Sequence, residues 1–344
     1  MLPGVSAAAE AIEALARQDL EPAAFLDQVT DHLRRRVGFD VCNWLAYDPD
    51  VLLPIAGFDG GEPTPFELRL RYCANEQLED DVHKFRDLAR QPLPVGVLEP
   101  TANSPRRREL HEPRGLAHEL RAALVHNRAC WGSLTLARAR GAPPFSSREV
   151  QQVAALSAVF GLGLARAAQG RQRSAVQTQP PGVLVLDGDT ALTSLSETAC
   201  AWLDVLRRTE GSASDGLPTA VAALATRTRR DGVGRLRLRT DSGQWLALHG
   251  SRDASRPGER VYITIETARR SEVLALLGRQ YGLTPREQHV VSLVLGGLAT
   301  RRIAERLGIT QHTVQDHLKS IFDKTDVRSR RELAHRLALA VFGL

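Results

Sequence analysis

Between Gln311 and Thr325 five polar side chains, His312, Gln315, Asp316, Lys319 and Asp323, recur on one side of a helical repeat, and Val314, Leu318, Ile321 and Phe322 recur on the other. Gln315 and Lys319 are four residues apart and so share a face. Amide and ammonium groups can hydrogen-bond DNA base edges: a glutamine pairs with adenine N6 and N7, and a lysine reaches guanine O6 or N7. The chemistry on offer is recognition of a polar partner, with no bond made or broken.

The elements that must hold this ridge are signalled locally. Thr284 as N-cap, Pro285 in the first helical position and Glu287 completing a capping box start one helix. Val290, Val291, Val294, Leu295 and Leu298 are its inward stripe, and Gly296-Gly297 stops it. A second helix of two turns runs from about Thr300 to Leu307, with Gly308 as terminator, and Thr310 caps the third, which carries the ridge. Ser329 to Glu332 repeats the box and opens a fourth helix with Leu333, Leu337 and Val341 on one stripe. A short helix, a Gly turn and a longer helix with a polar outer face is the helix-turn-helix arrangement, whose second helix lies in the major groove. A four-helix cap with a solvated face meets the same pattern. Charge leans towards nucleic acid: residues 281–344 hold 10 Lys+Arg against 6 Asp+Glu, which leaves 35 against 34 for the rest of the chain.

The segment LTPREQHVVSLVLGGLATRRIAERLGITQHTVQDHLKSIFDKTDVRSRREL resembles the LuxR-type helix-turn-helix over about 60 residues. The matching positions include Thr284, Arg286, Glu287, Gly297, Ile303-Ala304, Leu307-Gly308-Ile309, Thr313-Val314, His317, Ile321, Lys324, Val327 and Arg330. Two departures stand out: Ala299-Thr300-Arg301-Arg302 replaces the family's frequent Ser-Asn-Lys-Glu, and Gln315 replaces a common lysine. The resemblance implies that the third helix reads DNA, with His312, Gln315 and Lys319 nearest the base edges, and that the fourth helix mediates dimerisation. Thr300, Arg301, Arg302, Thr310, Thr313, Lys324, Arg328 and Arg330 complete the expected DNA-binding set as phosphate contacts, which position without specifying.

The front of the chain reads as two further domains, in keeping with 344 residues at roughly 150 per domain. Residues 10–168 are expected to form an α+β domain: a helix from Glu10 to Arg36, a hairpin from Asp40 to Tyr47 and Val51 to Ala56, a strand from Glu67 to Tyr72, a helix from Glu76 to Ala89, a loop from Gln91 to Arg107, two strands around Arg128, and a closing helix boxed by Ser146 and Glu149. Residues 169–181 read as a linker. Residues 182–268 read as a smaller sheet with a helix from Ser196 to Leu206, ahead of the helix-turn-helix domain at 279–344. The first domain loosely resembles a GAF fold and the second a PAS fold. Both resemblances imply ligand or interaction modules, with Asn43, Trp44, Tyr72, Phe85, His126 and Trp131 as candidate pocket residues. The fold class expected is therefore multidomain: α+β sensory domains followed by an all-α four-helix DNA-binding domain.

Several classes are excluded on sequence grounds. No G-x-S-x-G, G-x-x-x-x-G-K-[ST] or G-x-G-x-x-G motif is present, so no enzyme is indicated. Cys42, Cys73, Cys130 and Cys200 show no paired or zinc-ligand spacing, so neither metal nor other cofactor is expected. The first domain lacks the acidic strand ends of a phosphoreceiver. The apolar run near Val153 to Ala165 is shorter than a bilayer span, and no secretory leader is legible at the N-terminus, so a cytoplasmic location with no membrane partner is expected. Promoter DNA, a second copy of the chain, a small-molecule effector and RNA polymerase are the expected partners. A sigma-factor-like promoter-binding module and a protein-interaction scaffold remain as alternatives.

Overall fold

The computed structural model describes residues 3–18, 20, 22–61, 63–99, 101–167, 179–210, 216–255 and 260–342. The first domain runs α1 (Pro3–Ala16), α2 (Pro22–Arg34), β1 (Val41–Asp48), β2 (Leu53–Asp59), α3 (Phe66–Leu78), α4 (Phe85–Leu88), β3 (Val95–Leu98), β4 (Leu116–His126), β5 (Ala129–Ala139) and α5 (Ser147–Ala167). Its five strands form one antiparallel sheet in the order β2-β1-β5-β4-β3. Helices α2 and α5 pack on one face around Phe25, Val29, Leu33, Trp44, Leu120 and Phe160. Trp44 meets Phe160 edge to face at 5.2 Å, and its indole N–H donates to Thr30 Oγ1 at 2.8 Å. Helix α5 is long and apolar enough to cross a membrane, but its Val153, Leu156, Phe160 and Leu164 are buried in this core. The expected box is present: Ser146 Oγ accepts from the Glu149 amide, and Glu149 Oε2 accepts from the Ser146 amide at 2.8 Å.

Four expectations for this domain are corrected. The single helix from Glu10 to Arg36 is two helices, because Pro22 opens α2 and cannot lie in a helix interior without a lost hydrogen bond and a ring clash. The strand expected at Glu67 to Tyr72 is part of α3, which ends at Leu78 and does not run on to Ala89. Lys84 is the reason: its ammonium is buried, donating to the carbonyls of Asn75 and of Glu79, so it closes the C-terminal turn of α3. The loop from Gln91 to Arg107 contains β3, a four-residue edge strand on β4.

The second domain runs β6 (Gly182–Asp187), β7 (Leu192–Leu195), α6 (Glu197–Glu210), α7 (Thr219–Asp231), β8 (Val233–Arg239), β9 (Trp245–Arg252) and β10 (Arg260–Thr267). Its sheet order, β7-β6-β10-β9-β8, repeats that of the first domain when strands are counted within each. Ser196 caps α6 as expected, with Oγ accepting from the Ala199 amide at 3.2 Å. Helix α7 and strand β7 are not signalled in the sequence. Most of the linker expected at 169–181 lies outside the described residues.

Burial raises the Glu210 carboxyl to about 7, against the hydrogen bond it accepts from the Thr219 amide at 2.6 Å. Its unfolded value is 4.5, so the folded domain retains a proton that the unfolded chain has lost. The resulting stability is complete below about 4.5 and is lost as pH rises through about 7. Urea titrations at pH 5 and pH 8 should differ by about 2 kcal/mol in favour of pH 5. Glu210→Gln should flatten that slope; an unchanged slope would assign it elsewhere.

The two domains are docked. Helix α7 packs on β2 and α3, and Leu53 of the first domain lies in the core of the second. Asp48, fully buried at the end of β1, accepts from the Arg237 amide at 2.8 Å, from Nε at 3.1 Å and from Nη2 at 2.9 Å. Arg237 also pairs with Asp50 and donates through Nη1 to the Glu272 carbonyl at 3.1 Å. Glu272 lies on α8 (Arg270–Gln280), a helix not anticipated from sequence, which leads into α9 (Pro285–Leu295), α10 (Thr300–Leu307), α11 (Gln311–Thr325) and α12 (Arg330–Phe342). Arg279 of α8 pairs with Asp50, and Asn127 Nδ2 in the β4–β5 turn donates to the Gln280 carbonyl at 2.6 Å. The C-terminal core includes Val273, Leu276 and Leu277 of α8, so the boundary read at 279 falls inside a helix of that core.

Candidate nucleic-acid interface

The third helix of the expected motif is α11, with Val314, Leu318 and Ile321 buried and His312, Gln315, Asp316, Lys319 and Asp323 exposed. Its neighbour α10 ends at Gly308, whose left-handed φ of 64° turns the chain. Thr310 Oγ1 then accepts from the Thr313 amide at 3.1 Å and lies 2.9 Å from the Thr313 hydroxyl, so both threonines serve the N-cap. Gln315 and Lys319 stand on the ridge, and His312 sits 3.9 Å from Asp316 one turn on. Thr300 begins α10, where Arg301 and Arg302 pair with Glu305 at 3.4 and 3.2 Å on the surface. Exposed pairs of that kind hold their cations weakly, so both guanidinium groups can turn to a stronger anion. Arg328 is exposed beside the start of α12.

Two of the expected phosphate contacts are committed within the domain. Lys324 Nζ donates to both oxygens of Glu287, at 2.9 and 2.7 Å. Arg330 donates to the Leu298 carbonyl and ties the start of α12 to the α9–α10 turn. The sequence shows each as a surface cation, because the partners come from elements distant in the chain. Arg286 and Arg336 do similar work unread in the sequence: Arg286 Nη2 donates to the Leu307 carbonyl at 2.7 Å, and Arg336 donates to the Thr325 carbonyl, closing the C-termini of α10 and α11.

Glu287 is the hub. It accepts from the Thr284 amide at 2.6 Å, as the capping box requires, and from the Ser320 hydroxyl at 2.7 Å as well as from Lys324. Burial opposes its ionisation, but Lys324, Ser320 and Thr284 outweigh that and hold the carboxyl down at about 2. Glu287→Gln is expected to destabilise the C-terminal domain by about 2 kcal/mol at pH 7, less than for a fully buried pair because Lys324 is partly exposed. This stabilisation is present above the unfolded value of 4.5 and disappears as pH falls from there towards 2. Thermal melts at pH 7 and pH 3 should therefore show the mutant gap closing in acid; a gap of equal size would mean the charge is not the cause.

Residues 282–337 match the family model of bacterial regulatory proteins, luxR family. Over these residues the chain is similar to that family. The luxR-type segment is 44% identical over 52 residues to the nitrate/nitrite response regulator protein NarL of Escherichia coli K12, covering 15% of this chain and 24% of that protein. It is 40% identical over 60 residues to the transcriptional regulatory protein UhpA of Salmonella typhimurium LT2, covering 17% and 31%. The chain thus spans about a quarter to a third of the length of these curated relatives. A solved Vibrio cholerae VqmA dimer lacking target DNA is 20% identical and covers 46% of this chain and 82% of that one, with a TM-score of 0.21.

The candidate pocket residues separate into three places. Asn43, Tyr72 and Phe85 line a cavity of about 90 Å³ between the first sheet and α3. Trp131 borders a different cavity, of about 80 Å³, between the first sheet, α5 and β8. Trp44 is packed in the core on the far face, and His126 is not among the residues lining these two cavities. Alternation explains Trp44: it is adjacent to Asn43 on β1 and so points to the opposite face of the sheet.

Proposed function

We propose that this chain is a cytoplasmic, one-component transcription regulator that binds promoter DNA as a homodimer through α11 and acts on RNA polymerase. Its two front domains serve as GAF-like and PAS-like sensors at residues 10–168 and 182–268. The observation that carries the DNA reading is the division of labour within the luxR-type segment. Glu287, Lys324, Arg286 and Arg330 fix the helices, which leaves Gln315, Lys319 and His312 exposed on one ridge. The sensor reading is supported by the repeated sheet order and by the cavity against the first sheet.

A dimer would read two half-sites about one helical turn apart. The test is fluorescence anisotropy of the full-length protein on its own upstream DNA and on a scrambled duplex across a salt series. Selective binding whose log K falls steeply with log salt is expected. Binding that is equally weak on both duplexes, or that requires core RNA polymerase, would overturn this reading in favour of a scaffold or a sigma-like module respectively.

A further inference from the structure

We propose that Asp316 reads a cytosine in each half-site, an inference that rests on α11 being the helix that enters the major groove. At about 100° per residue, the buried Val314, Leu318, Ile321 and Thr325 fix the core side of α11. Asp316 and Asp323 then lie within about 10° of the line directly opposite, with His312 about 30° from it, Lys319 about 50° and Gln315 about 90°. Lys319 and Gln315 thus stand to one flank, and the outermost line of the helix is acidic. Recognition helices contact bases with their N-terminal residues, which places Asp316 at base level and Asp323, two turns further on, beyond it.

The fold gives this carboxylate little to do. Its side chain is 66% exposed, and its ion-pair partner His312 Nε2, at 3.9 Å, is beyond hydrogen-bond reach and itself 89% exposed. As the sixth residue of α11, Asp316 is past the first turn, where an acid would serve the helix dipole. By contrast Glu287 holds Lys324, Glu305 faces Arg301 and Arg302, and Glu332 accepts from the Arg328 amide. An aspartate is short, but the line opposite the core is the part of a helix that goes deepest into a groove. An ionised carboxylate can only accept. The major groove offers two kinds of donor, the amino groups at cytosine N4 and adenine N6, and adenine sets an acceptor, N7, beside its amino group. Cytosine is therefore the matching base, and its paired guanine offers O6 and N7 to the Lys319 ammonium on the flank. Any other base leaves the charge facing acceptors in a duplex with one phosphate about every 1.7 Å, so the acid excludes as well as selects.

Selection from a random-sequence duplex pool by the full-length protein, read by sequencing, tests this with Asp316→Asn and Asp316→Ala beside the wild type. The wild type should enrich a motif with a fixed cytosine at one position of each half-site, preferred by about tenfold or more over any other base. Asp316→Ala should cut that preference to about threefold or less, leave the other positions unchanged and bind a scrambled duplex severalfold more tightly, since a repulsion is removed. Asp316→Asn should move the preference at the same position towards adenine, whose N6 and N7 pair with an amide. Melting temperatures should not move, because the residue is exposed. A motif without a fixed cytosine, or one that Asp316→Ala leaves unaltered at every position, overturns the inference and leaves α11 as the reading helix. A wild type that enriches no motif overturns the reading of α11, and the inference with it.

Discussion

Replacing Asp48 with alanine should lower the stability of the docked front domains by about 3 to 5 kcal/mol, the cost of leaving a buried charge without its partner. Arg237 is almost entirely buried, and Asp48 takes three of its hydrogen bonds, including the backbone one. Removal of the carboxylate leaves the guanidinium with Asp50 and the Glu272 carbonyl, neither of which replaces a bidentate partner. Urea unfolding followed by tryptophan fluorescence reads the effect, since Trp245 lines the cavity next to this pair. Asp48→Ala with Arg237→Met should recover more than half of the loss, because the pair's desolvation is removed together with its attraction. A single-mutant loss below about 1 kcal/mol would mean that water reaches the pair.

The second large effect concerns DNA. Gln315→Ala with Lys319→Ala should reduce affinity for the specific site by about a hundredfold or more, since each good base contact discriminates by roughly 1 to 3 kcal/mol. Both side chains are exposed and outside the framework of Glu287, Lys324 and Arg330, so the melting temperature should not move. Binding to a scrambled duplex should change far less, because the phosphate contacts remain. If the double mutant keeps its specific affinity at every salt concentration, α11 is not the reading helix and the exposed ridge has another use.

What the sequence made legible divides along the range of the interactions. Caps are local: Thr284 with Glu287, Ser146 with Glu149, and Gly308 lie within a few residues of what they close, so their chemistry is visible in a short window. The four C-terminal helices follow from such signals. The end of helix α3 is not legible locally because its stop comes from Lys84, nine residues beyond Asn75, which folds back over the helix end. The partner of Lys324 is equally invisible in a short window, since Glu287 is 37 residues away. The Asp48–Arg237 pair spans 189 residues, and nothing in either local sequence distinguishes these charges from solvated ones. Asn43 and Trp44 are adjacent on a strand, so only one of the two can face the cavity, and the structure places Asn43 there.

The junction ahead of the DNA-binding helices has a mechanical consequence. Strand β10 ends at Thr267 and α8 begins at Arg270, and of the two residues between them Ala268 is still bonded to the Trp245 carbonyl at 2.9 Å. There is no slack at this point, and the far end of α8 is held as well, by Arg279 on Asp50 and by Asn127 on the Gln280 carbonyl. A helix clamped at both ends transmits displacement rather than absorbing it, so any shift of one sheet against the other is passed directly to Val273, Leu276 and Leu277 and through them to the C-terminal core.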